Sequence, residues 1–379
     1  MPTLLSTARR LTMDMCRTEL HRTSGGWVAA PEDLEISENH HVRINLTYRT
    51  DRDRRDGLII MLHGLNERSW DKYSPWADEL CTQTGMAVAM MPTAFHIDRG
   101  KPEWSRIRSM KPLEQQRKGS SRMPKSVSFI NAALSDRIDR CPQRFVTSAY
   151  QTMEDVIDFI KDIRLGGYEP IICRNTTVHL FGYSIGCSIA QALSISSGEL
   201  FGSASRSVFF CGGSALTDAR PVSPYILDAE AFEQLDSYLR TLARGNTKGL
   251  PTALVNTPGL QALRMLCASD YLKDIRHQAM NKHARKSLYV PMEGDAVFTV
   301  QLVRDFLGSL PAALEPFSPD YPHDHVRPFG DYTESQGDFE QLFNNIADWY
   351  ASASGHRSSA RPRAEASVRF LSAAVPTHP

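Results

Sequence analysis

The sequence predicts an α/β protein: a mostly parallel twisted sheet, covered by helices on both faces, with two cap insertions. Three observations predict it. Short apolar runs alternate with segments of helical spacing along most of the chain. Several of these runs are unbroken by any polar residue, as in strands buried on both faces. Two long stretches, about 95–148 and 215–286, interrupt the alternation, and insertions of that length in a compact domain are usually lids or caps.

The elements follow in order. Leu4, Ala8, Leu11 and Met15 share a helical face, so residues 1–40 read as an N-terminal helical extension. Residues 42–48 alternate apolar and polar, a half-exposed strand. Residues 57–63 are continuously apolar up to His63, a buried strand. Tyr73, Trp76, Ala77 and Leu80 set a helix over 70–81. An apolar run over 86–91 is closed by Pro92. Met153, Val156, Ile157 and Ile160 set a helix over 149–163. Strands follow at 177–181, 207–211 and 288–291, and helices at 186–196, 297–307 and 339–350. The second insertion is largely helical in pattern. The main domain is thus expected over 41–353, and 354–379, rich in Ser, Ala, Arg and Pro, as a disordered tail.

Composition narrows the function. Of 379 residues, 41% are hydrophobic and 23% charged, which excludes a wholly disordered chain, a collagen and a coiled coil. Basic and acidic residues balance at 43 each, so no bulk charge favours nucleic acid or an anionic membrane. Seven scattered cysteines without a CxxC pair speak against a disulfide scaffold or a Cys-rich zinc site. The N-terminus lacks a signal-like apolar core. The most apolar long window, 177–195, contains Gly182, Gly186 and several serines and reads as strand, turn and helix, not a membrane span. A cytoplasmic protein with a small-molecule partner is expected; the oligomeric state stays open.

The chemistry centres on Gly182-Tyr183-Ser184-Ile185-Gly186. The pentapeptide alone is weak; its context is not. It follows a buried strand and opens a helix, which holds the serine on a strained turn above the sheet. The helix N-terminus behind Ser184 offers N–H groups to a developing oxyanion. His63-Gly64-Leu65-Asn66 ends another buried strand, where a second oxyanion donor would come from. The N–H groups of Leu65 and Ile185 are therefore the candidate oxyanion hole. Gly64 permits close approach, and His63 reads as loop support. An acid and a base must follow the serine in chain order. Asp295, just after the 288–291 strand, is preferred as the acid to Asp218 and Glu293. His325 is preferred to His323 as the base. The pair flanks Asp324, but no further metal-ligand set accompanies it, so neither a metal nor another cofactor is expected.

From about residue 40 to 350 the chain resembles the α/β-hydrolase fold. The segments 63–73 (HGLNERSWDKY), 93–99 (TAFHIDR) and 325–329 (HVRPF) are similar to a little-characterised bacterial branch of it. The resemblance implies an acyl-enzyme hydrolase, an ester or thioester cleaver, with Ser184, Asp295 and His325 as its triad. Beside Gly64 and Tyr183, the aromatic residues Phe95, His96 and Trp104 are candidates for lining the substrate pocket. The first insertion departs from a minimal member. Between 98 and 125 it carries nine basic and three acidic residues. This is either a cap that attracts an anionic acyl carrier or a solvated polar loop, and the loop is the preferred reading. Two rivals to hydrolysis stay open: acyl transfer or cyclisation in a biosynthetic pathway, and a non-catalytic binding role on the same fold.

Overall fold

The computed structural model describes residues 15–25, 27–50, 57–330 and 332–352. At its centre lies β3 (Gly57–Leu62), buried at every position. Its residues point alternately to two apolar layers, as a strand's period of two requires. Leu58, Ile60 and Leu62 enter one core, and Ile59 and Met61 enter the other. β4 (Ala87–Met91) and β5 (Thr177–Tyr183) flank β3 in parallel. β6 (Ser207–Phe210), β7 (Ser287–Val290) and β8 (Ala313–Leu314) continue the parallel array. On the other side β2 (His41–Arg49) pairs with β4, and β1 (Met15–Thr23) with β2, both antiparallel. The order is β1-β2-β4-β3-β5-β6-β7-β8.

Helices cover both faces. α1 (Ser74–Thr84) and α10 (Tyr332–Ala351) pack on the Ile59 side, where Trp76 meets Phe343. α4 (Gln143–Arg164), α5 (Ile185–Ser197) and α9 (Val300–Leu307) pack on the Leu58 side. The first insertion supplies α2 (Ile107–Ser120) and α3 (Ala132–Arg140). The second supplies α6 (Ala229–Ala243), α7 (Pro258–Cys267) and α8 (Lys273–Ala284). No helix among the described residues is long and apolar enough to cross a membrane.

Two expectations are corrected, and one strand is added. Residues 15–23 are not helical: they form the edge strand β1, where Cys16 and Leu20 alternate with the more exposed Arg17, Glu19 and His21. Leu4, Ala8 and Leu11 lie outside the described residues, as does the 354–379 tail. The first insertion ends before 143, because α4 begins six residues earlier than its apolar stripe. Arg144, Thr147 and Ser148 hide this first stretch from a hydrophobic pattern, yet all are buried and hydrogen-bonded. The two-residue β8 carries too short a pattern to be read from sequence.

Candidate active site

The C-terminal ends of β3, β5 and β7 converge at one edge of the sheet. β5 runs into α5 through Ser184, whose φ of 56° and ψ of −122° lie outside the ordinary regions for a residue with a side chain. The turn exists because its flanking glycines leave room. A Cβ on Gly182 would lie 2.6 Å from the Cys187 Cα, and one on Gly186 would collide with the Leu62 carbonyl.

Ser184 Oγ stands 2.8 Å from His325 Nε2. His325 Nδ1 stands 2.8 Å from Asp295 Oδ2. Asp295 Oδ1 accepts from the Val297 and Phe298 N–H groups at 2.7 and 3.1 Å. The three side chains are buried, with Ser184 and His325 each 6% exposed and Asp295 2%. The competing candidates stand elsewhere. Asp218 accepts from Ser269 at 3.1 Å. His323 sits between the carbonyls of Tyr321 and Glu293, at 2.7 and 2.8 Å. Among the described residues no group of three His, Cys, Asp or Glu stands ready to hold a metal ion.

Two loops are tied together beside this chain. The Gly64 N–H donates to the Tyr73 hydroxyl at 2.9 Å, which donates to Glu67 at 2.8 Å. Lys72 pairs with Glu67 and donates to the Val326 carbonyl at 3.2 Å. Tyr183 stacks on the His325 ring, with centroids 5.8 Å apart, and its hydroxyl donates to the His325 carbonyl. Burial pushes that phenol's pKa well above its ordinary value. Tyr183 is thus a support for the histidine loop as well as part of the cleft wall. His63 is a second support. Its Nε2 accepts the Thr93 N–H at 2.9 Å, so its proton is on Nδ1, donated to the Gly64 carbonyl at 2.7 Å. Burial holds its pKa well below the usual range and the ring neutral. None of these clamps has a local sequence signal, since each joins segments far apart in the chain.

Two clefts meet at the loop of Leu65, Asn66, Glu67 and Arg68. The smaller, about 640 Å³ with its open mouth, holds Gly64, Ser184, His325, Lys72 and Tyr225. The larger, about 820 Å³ with its mouth, is mainly apolar and holds Phe95, His96, Trp104, Ile138 and Phe145. Leu65 borders both, and Ile185 lines the larger one. Burial pushes the His96 pKa down to about 4, and the ring bonds the Ala94 carbonyl at 2.9 Å.

The basic insertion does not form a charged mouth. Arg99 pairs with Asp155 at 2.8 Å, and Arg117 with Asp228 at 2.6 Å. Lys111 and Lys118 share Glu114, and Arg122 pairs with Glu233. Arg106, Arg108 and Lys125 are exposed. Of the nine basic residues, Lys101 alone borders the larger cleft.

Residues 7–354 match the model of DUF6051, a family of unknown function. No curated protein is detectably similar in sequence. Solved structures are similar in shape. The esterase Est22, solved with p-nitrophenol, is 10% identical, with a TM-score of 0.50 over 89% of this chain and 81% of that one. An esterase of Pyrobaculum calidifontis is 13% identical, with a TM-score of 0.47 over 92% and 89%. Carboxyl esterase 2 of the fungus Tuber melanosporum is 13% identical, with a TM-score of 0.45 over 90% and 88%. What is shared is the architecture, the α/β-hydrolase fold.

Proposed function

The chain belongs to the DUF6051 family, and from its site we propose that it is a serine hydrolase cleaving carboxylic esters or thioesters. The observation that carries this reading is the unbroken hydrogen-bond chain from Ser184 through His325 to Asp295. The esterase neighbours have the same fold, which supports the reading without deciding it.

In this mechanism His325 Nε2 takes the Ser184 proton as Oγ attacks the acyl carbonyl. Asp295 accepts the Nδ1 proton's hydrogen bond, holding the tautomer that leaves Nε2 free, and stabilises the imidazolium. The oxyanion is bound by two backbone N–H groups. One is that of Ile185, an unpaired donor in the first turn of α5. The other is that of Leu65, since the Gly64 N–H already serves Tyr73. Each is worth about 3 kcal/mol by analogy with measured oxyanion donors. The intermediate collapses as His325 protonates the leaving oxygen or sulfur. Water then attacks the acyl enzyme with His325 again as base, releasing the acid and restoring Ser184.

One observation keeps acyl transfer open as a second reading. The Asn66 amide bonds both the Ile130 carbonyl (3.1 Å) and the Tyr225 carbonyl (2.7 Å), so both insertions close over the site. Such a cover could keep water from the acyl enzyme. Product analysis with a competing amine or alcohol separates the readings: ester or amide products in excess over acid would favour transfer.

The test of the main reading is labelling by a fluorophosphonate probe together with ester turnover. Wild type should label on Ser184. Ser184→Ala should fold, fail to label and lose on the order of a million-fold in turnover. A folded Ser184→Ala protein with wild-type activity would overturn the mechanism.

A further inference from the structure

We propose that the larger cleft receives an acyl chain ending in a carboxylate, and that Arg137 reads that carboxylate. This rests on the hydrolase reading, because it assigns the cleft beside Leu65 and Ile185 to the acyl part of the substrate.

Among the described residues each of the four buried arginines bonds through both terminal nitrogens, although the Nε of Arg99 and of Arg276 has no partner. Arg117 and Arg144 bond through all three of their nitrogens. Arg99 and Arg276 bond through both terminal nitrogens. Arg137 differs. Its side chain is only 14% exposed, yet among the described residues it has one hydrogen-bond partner, Asp33, reached by Nη1 at 2.9 Å. The other N–H groups of a five-donor fork have no protein acceptor there.

The guanidinium is also held in place. Its carbon lies 5.0 Å from the Phe95 ring centroid and 4.6 Å from that of Trp104. Both rings line the larger cleft, and so does Arg137. A planar cation held against two aromatic rings is pre-organised for a carboxylate, which it can take through two parallel N–H bonds.

The local charge leaves room for an anion. Asp33 is buried and shared by two guanidiniums, those of Arg137 and Arg144. Glu32 pairs with Arg144 from a position that is 65% exposed, so Arg144 has two carboxylate partners while Arg137 has only the shared one. A carboxylate on the substrate would give Arg137 a partner of its own, in the planar geometry its fork matches. The same cleft is also lined by Ile138, Phe145 and Ile189, apolar side chains suited to a methylene chain.

The experiment compares matched 4-nitrophenyl esters with and without a terminal carboxylate: the monoesters of adipic, pimelic and suberic acids against hexanoate, heptanoate and octanoate. Wild type should favour the carboxylate-ended member at one chain length by roughly 10-fold or more in kcat/KM. Arg137→Met, which keeps an unbranched stem beside the rings, should lower that ratio by about 10- to 100-fold. An unchanged ratio in a folded variant overturns the proposal. So does a wild-type preference for the neutral esters, which decides the matter even if the variant fails to fold. A second arm does not depend on turnover. Calorimetry on Ser184→Ala should show the adipic, pimelic or suberic monoamide binding at least about 10-fold tighter than the corresponding alkanamide. Equal affinities, or no binding across the series, overturn the proposal. Absence of both ester turnover and probe labelling, with monoamide binding intact, would instead sink the hydrolase reading and leave the carboxylate site standing.

Discussion

Asp295 and Asp228 are both buried carboxylates that cap a turn of backbone. Asp295 sits at the edge of the sheet, where one oxygen takes two N–H groups and the other takes His325. Asp228 sits in the second insertion at the start of α6, where it takes the Ala231 N–H and the fork of Arg117. Burial and the number of bonds do not distinguish them. The partner does. A guanidinium keeps its protons at any working pH, so the Asp228 pair can only hold the cap together. An imidazole can accept and release a proton, and His325 also reaches Ser184. Chemistry is expected where the partner can change its charge, and cohesion where it cannot.

The same substitution at both positions tests this contrast. Asp295→Asn keeps the size and the backbone bonds but offers the imidazole a donor. Turnover should fall roughly 10⁴-fold, as in the triad template with the wrong tautomer, with little change in the urea midpoint. Asp218→Asn should be mild in the same assay. If the two results are exchanged, the acid comes from the earlier strand.

Asp228→Asn should do the opposite. It leaves the Arg117 charge without its closest carboxylate in a buried setting, a loss of about 3 kcal/mol in unfolding free energy. Its kcat should stay near wild type. A large loss of rate without loss of stability would erase the distinction between the two regions.

A third test moves to the opposite end of the sheet. His179, at the start of β5, is buried against the Tyr350 ring, and its Nδ1 accepts from the Arg206 N–H at 3.2 Å. Burial, then the nearby Arg206 charge, pushes its pKa down to about 4. The unfolded chain takes this proton near pH 6.5 and the folded chain refuses it until about pH 4. Stability is therefore full above pH 6.5 and falls on acidification through that window, by up to about 3 kcal/mol from this group. His96 acts in the same direction. Urea midpoints from pH 7 to 4 should fall less steeply in His179→Leu than in wild type. An identical slope would remove His179 from the account.

The smallest effect belongs to the exposed face of the first insertion. Arg106→Glu with Arg108→Glu should change stability by no more than about 0.5 kcal/mol. The salt dependence of kcat/KM should match wild type for neutral and anionic substrates alike. A salt response lost only with the anionic substrate would restore electrostatic steering by this stretch.

The elbow was legible in the sequence because its rule is steric and local: two glycines at fixed spacing, between an apolar run and a helix. Asp295 and His325 were legible as positions by chain order, and they are neighbours of Ser184 in space. The strand β1 was hidden because its exposed polar residues dilute the alternation and Met15 also fits a helical face. Arg137 was hidden for a different reason. A count of charge along 98–125 cannot register which charges are paired, and Arg137 lies outside that window. Lys72, Glu67 and Tyr73 support the site through contacts that no spacing announces.

Asn66 has a consequence for how the enclosure works. Its backbone is left-handed, with φ of 62°, and its one amide nitrogen holds carbonyls from both insertions. Arg68 adds a bond to the Phe129 carbonyl at 3.3 Å and another to Ile130. The roof is thus bolted within three residues of Leu65 and cannot swing as a hinged door while those bonds last. Lifting it would drag on the loop that presents the Leu65 amide. In the proposed reaction, traffic in and out and the alignment of that amide are mechanically one degree of freedom: a mutation that loosens the roof should speed exchange and blur the alignment in the same stroke.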